Sequence, residues 1–280
     1  MMITWSEVQV RRLKELDAGE KELSTGFDNL QERDRSFQQL ERTLVKQNKQ
    51  ALEEFRSIRL RPALCRLESV LVETLISNGF VQVTTPTIMS KGLLARMSID
   101  AKHPLYSRVF WLDKDKCLRP MLAPHLYYIL KDLLRLWEKP VRIFEVGSCF
   151  RKESQGALHS TEFTMLNLVE MGLPEQDRSR RLEELAALVT EAAGLASYSL
   201  EKESSVVYGE TIDVVAGEGQ IEVGSGAVGP HPLDRAWRIN ETWVGIGFGL
   251  ERLLMVREKG TSLAKMGRSL SYLDGVRLNV

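Results

Sequence analysis

Cysteine and histidine are scarce in this chain. Three cysteines occur in 280 residues. Cys65, Cys117 and Cys149 are far apart and odd in number, which argues against a disulfide framework or a zinc site and for reduced thiols. The four histidines include no HxxxH pair, so a histidine-rich metal centre is not expected. No apolar run is long enough to span a bilayer, and the first residues, MMITWSEVQVRRLKELDAGE, lack the apolar core of a signal peptide. The expected location is therefore cytoplasmic. Neither sign of charge is in excess, with 38 basic and 38 acidic residues. Net charge thus carries no nucleic-acid signature, although a local basic face can hide inside a neutral total.

What is present is an ordinary globular composition, 43% hydrophobic and 27% charged, at a length that supports a sizeable core. Residues 1–60 are charge-dense and helical in pattern. SEVQVRRLKEL starts at a Ser6 cap, and NLQERDRSFQQLERTLVKQNKQALEEFRSI reads as a longer amphipathic helix. This region is either a solvated helical hairpin or an arm presenting Arg11, Arg12 and Lys14 to a phosphate backbone. Residues 61–280 form the expected main domain. PALCRLESVLVETLISNG reads as a helix closed by Gly79, and FVQVTTPTI as a strand that stops at Pro86. RVFWLD, CLRPML, VRIFEVGSCF and FTMLNLVEM read as antiparallel strands or strand ends. PHLYYILKDLLRLW and RSRRLEELAALVTEAAGL read as helices. Strands then return in TIDVVAGEGQIEVGSGAVG and WVGIGFG, before a last helix, LERLLMVRE. Strands outnumber crossover helices, so the expected class is α+β with a mostly antiparallel sheet, not a doubly wound fold.

WVGIGFGLER places glycine at Gly245, Gly247 and Gly249. Glycine weakens a strand, yet side chains alternate between faces, so one face here is bare while Val244, Ile246 and Phe248 fill the other. A bare face admits something flat, whether a packed element or a ligand. FEVGSCFRKESQGALHSTEF ends a strand in Arg151-Lys152-Glu153. A guanidinium there suits a phosphate, since its planar fork donates two parallel hydrogen bonds; a surface hairpin with an ion pair is the plainer alternative.

In order, GFVQVTTP, FRKE…EF and GIGFGLER resemble the three signature motifs of class II aminoacyl-tRNA synthetases. The resemblance implies an antiparallel sheet flanked by helices, with an N-terminal helical extension and the first motif at a homodimer interface. It implies that Gly247 and Gly249 floor an ATP site. Arg252 would stack on the adenine, Phe163 would cover its other face, Arg151 would hold the α-phosphate, and Glu153 and His159 would also contact ATP. Arg151 and Arg252 are the expected catalytic residues.

On the helix MLAPHLYYIL, Ala123, Leu126, Tyr127 and Leu130 share one face. Beside strands carrying Asn167, Val169 and Trp243, they suggest a deep apolar slot with one amide, and Tyr208 in VVYGET suits its mouth. LRPMLAP, FRKES, EFTMLNL, VVYGETIDV, WVGIGFGLERLLM and RSLSYLDG resemble the pyrrolysyl-tRNA synthetase family over essentially the whole chain. That resemblance adds Met121 and Gly245 to the pocket, has Asn167 bond the side-chain amide carbonyl, makes Tyr208 a lid, and has Glu222 and Ser225 contact Mg²⁺ on the ATP phosphates. Val169 stands where some members carry cysteine, and His125 where they carry asparagine; by helical spacing His125 points away from the slot.

The activity so implied is activation of pyrrolysine, an Nε-acylated lysine, through an aminoacyl-adenylate, followed by transfer to its tRNA. The chain resembles the stand-alone catalytic protein without the basic N-terminal tRNA-binding domain. It would have a separate tRNA-binding protein as partner or none, and residues 1–60 would touch tRNA directly. The alternatives are a class II synthetase for another large amino acid such as phenylalanine, and a non-catalytic tRNA-binding or regulatory relative.

Overall fold

The computed structural model describes residues 2–152, 156, 159–218, 220–260 and 262–280. The chain forms two compact units, Met1–Pro62 with Ser269–Val280, and Ala63–Arg268. Residues 269–280, which the sequence reading placed with the main domain, thus belong to the unit of the N-terminal helices.

In the first unit, helix α1 (Glu7–Glu15) is closed by a capping box between Ser6 and Gln9, so two backbone donors of the first turn are satisfied by side chains. Helices α2 (Glu20–Leu23) and α3 (Leu30–Glu54) follow. The last helical residues, Phe55–Arg59, widen to a π-turn. The core is small: Trp5, Leu13, Leu16, Phe27 and Leu44, with the Trp5 and Phe27 rings edge to face at 4.3 Å. A C-terminal hairpin, Tyr272–Leu273 with Val276–Arg277, joins it. Arg12 is held inside this unit, 2.8 Å from Glu41 and donating to the Asn279 carbonyl. Arg11 lies 3.6 Å from Glu15, with its side chain 85% exposed.

The second unit opens with α4 (Ala63–Ser77). Leu64, Leu67, Leu71 and Leu75 on one face of it enter the core, and Gly79 follows at φ +78°, a conformation glycine adopts without a Cβ penalty. Next come β1 (Val81–Gln82), β2 (Ile88–Ser90), α5 (Lys91–Arg96), β3 (Lys116–Leu118), α6 (Ala123–Leu136), β4 (Val141–Phe150) and β5 (Glu162–Met171). Helix α7 (Arg178–Ala192), strands β6 (Tyr198–Ser205), β7 (Gly209–Ala216), β8 (Ile221–Gly229) and β9 (Trp243–Gly249), and helices α8 (Leu250–Arg257) and α9 (Leu263–Met266) complete it. The main sheet has the order β1-β4-β5-β9-β8-β7-β6. Every neighbouring pair is antiparallel except β1 with β4, which is parallel. The α+β class with a mostly antiparallel sheet and flanking helices is as expected.

Three local expectations differ. FVQVTTPTI is not one strand: Val81–Gln82 pairs with β4, while Ile88–Ser90 pairs with β3. Thr85 leaves the ladder because its N–H and hydroxyl both donate to Glu145, and Pro86 follows with no N–H to offer. RVFWLD makes only a bridge between Trp111 and Cys117, since the chain turns back there through the Leu112 N–H to Lys116 carbonyl bond. Strand β6 is the third. Its sequence, YSLEKESS, is mostly exposed, as suits a charged edge strand, and it carries no apolar alternation to read.

Alternation along the strands divides the unit into two faces. Phe144, Leu166, Leu168, Val244, Ile246 and Phe248 face one core, which α4, α7 and α8 complete. Ile143, Trp243 and Ala227 face another, shared with α6. A cavity opens on this second face.

Candidate active site

Between β5, β9, β8 and α6 lies a cavity of about 330 Å³. Its floor follows from strand register. Asn167 on β5 faces Gly247 on β9, and Gly247 faces Ser225 on β8. In the next row Val169 faces Gly245, which faces Ala227. Each row therefore has side chains at both sides and none in the middle, which makes the sheet a trough. A Cβ on Gly247 would stand 3.3 Å from Met165 Cε and 3.5 Å from Asn167 Nδ2. The alternating glycines thus face the cavity, and Val244, Ile246 and Phe248 are buried beneath it.

One end of the cavity is charged. Arg151 leaves the end of β4, where its N–H bonds the Thr161 carbonyl at 3.0 Å and its Nε the Pro120 carbonyl at 2.9 Å. Its guanidinium carbon stands 5.1 Å from the centre of the Phe163 ring. Arg252, in the first turn of α8, donates to the Glu222 carbonyl at 2.9 Å and pairs with its carboxylate at 3.2 Å. His159 also lines this cavity. The other end is apolar: Met121, Ala123, Leu126, Tyr127 and Leu130 from α6 and the loop before it, with Trp243 and Val169 from the sheet. Tyr208, in the turn between β6 and β7, meets the edge of Trp243 at 5.9 Å. Burial, with the nearby Asp234 carboxylate, pushes its phenol well above the ordinary tyrosine value.

All the described residues expected from the sequence therefore border one cavity: Arg151, His159, Phe163, Asn167, Val169, Tyr208, Glu222, Ser225, Trp243, Gly245, Gly247, Gly249, Arg252 and the α6 set. Glu153 lies outside the described residues. His125 does not line the cavity; its Nδ1 is 3.2 Å from the Thr85 hydroxyl, in a buried network with Arg119 and Glu145. Burial and the Arg119 charge hold its pKa below the usual histidine value. Cys117 and Cys149 are free and buried, their thiols pushed up by burial to about 11 and about 12, which makes them poor nucleophiles.

Glu251 was missed. It lines the cavity, is 3% exposed, and accepts from the Thr164 N–H and hydroxyl at 2.9 Å. Burial raises its pKa against those hydrogen bonds and Arg268. The residue clamps α8, and hence Arg252, to β5. Its only sequence signal was its place beside that arginine.

A family model for the class II core domain (F) of tRNA synthetases matches residues 49–273. The chain belongs to the class II tRNA synthetases. Within that family it is similar to the crystal structure of pyrrolysyl-tRNA synthetase from Desulfitobacterium hafniense, at 56% identity and TM-score 0.93 over 99% of both chains. A second structure of the D. hafniense pyrrolysyl-tRNA synthetase superposes at TM-score 0.90, also at 56% identity, covering 99% of this chain and 96% of that one. The chain is a homologue of that enzyme. A curated relative, the threonine–tRNA ligase of Wolbachia sp. subsp. Brugia malayi (strain TRS), is 28% identical over 164 residues, 55% of this chain and 25% of that protein. The chain spans a quarter or less of the length of the first curated relatives it matches.

Proposed function

We propose that the cavity activates pyrrolysine with ATP and that the protein transfers it to its cognate tRNA. The observation that carries this reading is the two-ended cavity: a bare glycine floor between Arg151 with Phe163 and Arg252, continuous with an apolar slot that holds one amide, Asn167. The adenine lies on the glycine floor between Phe163 and Arg252, whose guanidinium stacks on its face. The lysine-like side chain runs down the apolar slot, and Asn167 donates to its amide carbonyl while Tyr208 closes the mouth.

In the first step a carboxylate oxygen of the amino acid attacks the α-phosphorus of ATP. The bond to the β-phosphate oxygen breaks, and pyrophosphate leaves with that electron pair. In the second, a hydroxyl of the tRNA's terminal adenosine attacks the carbonyl carbon, and the bond from that carbon to the phosphate oxygen breaks. AMP leaves with the electron pair while a phosphate oxygen takes up the hydroxyl proton. No side chain need become a covalent nucleophile. Arg151 neutralises charge growing on the α-phosphate oxygens, and binding in one trough aligns the carboxylate with phosphorus.

The ATP would come with Mg²⁺. Glu222 and Ser225 fit that ion as hard oxygen donors on the cavity wall. Among the described residues no three His, Cys, Asp or Glu cluster as a metal site, so waters and substrate oxygens would complete its shell. When bound, the ion supplies neutralisation of phosphate charge.

A homodimer through the first motif is supported by apolar exposure there: Val70 and Ile76 on α4 and Val81 on β1 are 44%, 53% and 46% exposed. Contact of residues 1–60 with tRNA is supported by exposed Arg11, less by Arg12, which the unit's own Glu41 holds. A separate tRNA-binding protein remains part of the proposal, as does a cytoplasmic location; among the described residues no helix is long and apolar enough to cross a membrane.

The test is amino-acid-dependent ATP–pyrophosphate exchange with pyrrolysine, an Nε-carbamate lysine, lysine and phenylalanine. Exchange with the first two and not with lysine is expected. Exchange with phenylalanine alone would discard the pocket assignment. Arg252→Ala should lower exchange by about 10²-fold or more while the thermal midpoint stays close to that of the parent.

A further inference from the structure

Asp234 does not line the cavity, yet it holds two of the cavity's walls. It sits in a short 3₁₀ segment, Pro232–Trp237, and is 1% exposed. One carboxylate oxygen accepts from the Tyr127 hydroxyl at 3.0 Å. The other accepts from the Trp243 indole Nε1 at 2.8 Å and from the His231 backbone N–H at 2.7 Å. The His231 bond completes a capping box, the structural role expected of a carboxylate three residues into a helical turn. Capping requires nothing more. The two aromatic donors are additional, and they come from different elements, α6 and β9.

The surroundings are arranged for these contacts. A Cβ on Gly229 would fall 1.8 Å from Trp243 Nε1, so glycine there leaves the indole room to reach Asp234. Tyr127 stacks on Trp237 at 5.4 Å and 22°, and meets the edge of Trp243 at 5.9 Å and 87°. Tyr208 in turn rests on the Trp243 edge. A buried carboxylate is costly unless donors satisfy it, so the two rings and the carboxylate hold one another in a single arrangement.

We propose that Asp234 is a positioning residue for amino-acid selection: by accepting from Tyr127 and Trp243 together it fixes the width of the apolar slot, and so the length and bulk of the acyl group on lysine that the slot accepts. This inference rests on the reading of the apolar end as the amino-acid site.

Asp234→Asn keeps the shape and the oxygen shared by the His231 cap and Trp243, but it removes the negative charge and puts an amide nitrogen against Tyr127. The indole bond thus loses its charge assistance, and the Tyr127 hydroxyl must turn from donor to acceptor. In pyrophosphate exchange its amino-acid KM should rise about tenfold with the ATP KM unchanged, and its preference between short and long Nε-acyl lysines should shift by a similar factor. Tyr127→Phe removes one tie and leaves the cap intact. It should shift the preference in the same direction, and it serves if Asp234→Asn does not fold. Independently of activity, ¹⁵N NMR should show the Trp243 indole N–H, identified by its loss in Trp243→Phe, moving upfield in Asp234→Asn. Unchanged KM and acyl preference in an active Asp234→Asn protein of lowered thermal midpoint would reduce Asp234 to its capping role. If the parent protein were silent with every lysine derivative, the amino-acid assignment would have failed instead. An unchanged indole resonance would then overturn the tie as well.

Discussion

Strands β8 and β9 lie side by side, and each carries glycine at alternate positions, yet the glycines answer to different constraints. On β8, a Cβ at Gly224 would meet the Phe248 ring at 2.5 Å, and one at Gly226 the Leu182 side chain at 2.7 Å. Both neighbours are buried in the main core. These glycines exist because the core leaves no room. On β9, a Cβ at Gly247 would meet nothing closer than 3.3 Å, and one at Gly249 nothing closer than 3.7 Å. The fold would accept a methyl there. What would not accept it, in the proposed function, is a flat ring laid on the strand. The same residue type at the same period is thus a packing requirement on one strand and a binding surface on the next.

The largest effect expected from breaking this contrast is on chemistry. Gly247→Val should lower pyrophosphate exchange by about 10²-fold or more with little change in thermal midpoint; equal losses of stability and activity would mean that β9 is a packing strand like its neighbour. Gly224→Ala should do the reverse. Overpacking against Phe248 costs about 1–3 kcal/mol, which denaturant unfolding would register, while the folded fraction keeps its ATP KM. A methyl at Gly245 falls 3.4 Å from Val169 and 3.5 Å from Trp243. Gly245→Ala should therefore raise the amino-acid KM a few-fold, about 1 kcal/mol or less, and leave the ATP KM alone. The smallest effect concerns His125, behind the slot. Its folded pKa lies below its unfolded value, so the neutral ring contributes stability that is full above about pH 6.5 and is lost as pH falls toward the folded value. His125→Asn should flatten that acid limb in thermal melts across pH 5–7; an unaltered limb would place the proton uptake elsewhere.

Much of the site was legible because it depends on period. Glycine at every second residue marks a bare strand face, and Ala123, Leu126, Tyr127 and Leu130 mark one face of a helix whatever they pack against. Less legible were residues whose roles depend on distant partners. Glu251 and Asp234 read as ordinary acids on the surface of a helix or turn, and only the approach of Thr164, Arg268, Tyr127 and Trp243 makes them buried acceptors. Strand β6 escaped notice because an edge strand buries too little to require alternation.

By itself the sequence determined the alternation of the strands, the caps of the helices, the motifs and the family they mark, since these are local matters of backbone geometry and side-chain period. Only the tertiary structure decided which bare face would meet a cavity and which a core. Register decided it: pairing Asn167, Gly247 and Ser225 in one row, and burying Gly224 and Gly226 against Phe248 and Leu182, are outcomes of how the strands align and what packs on them.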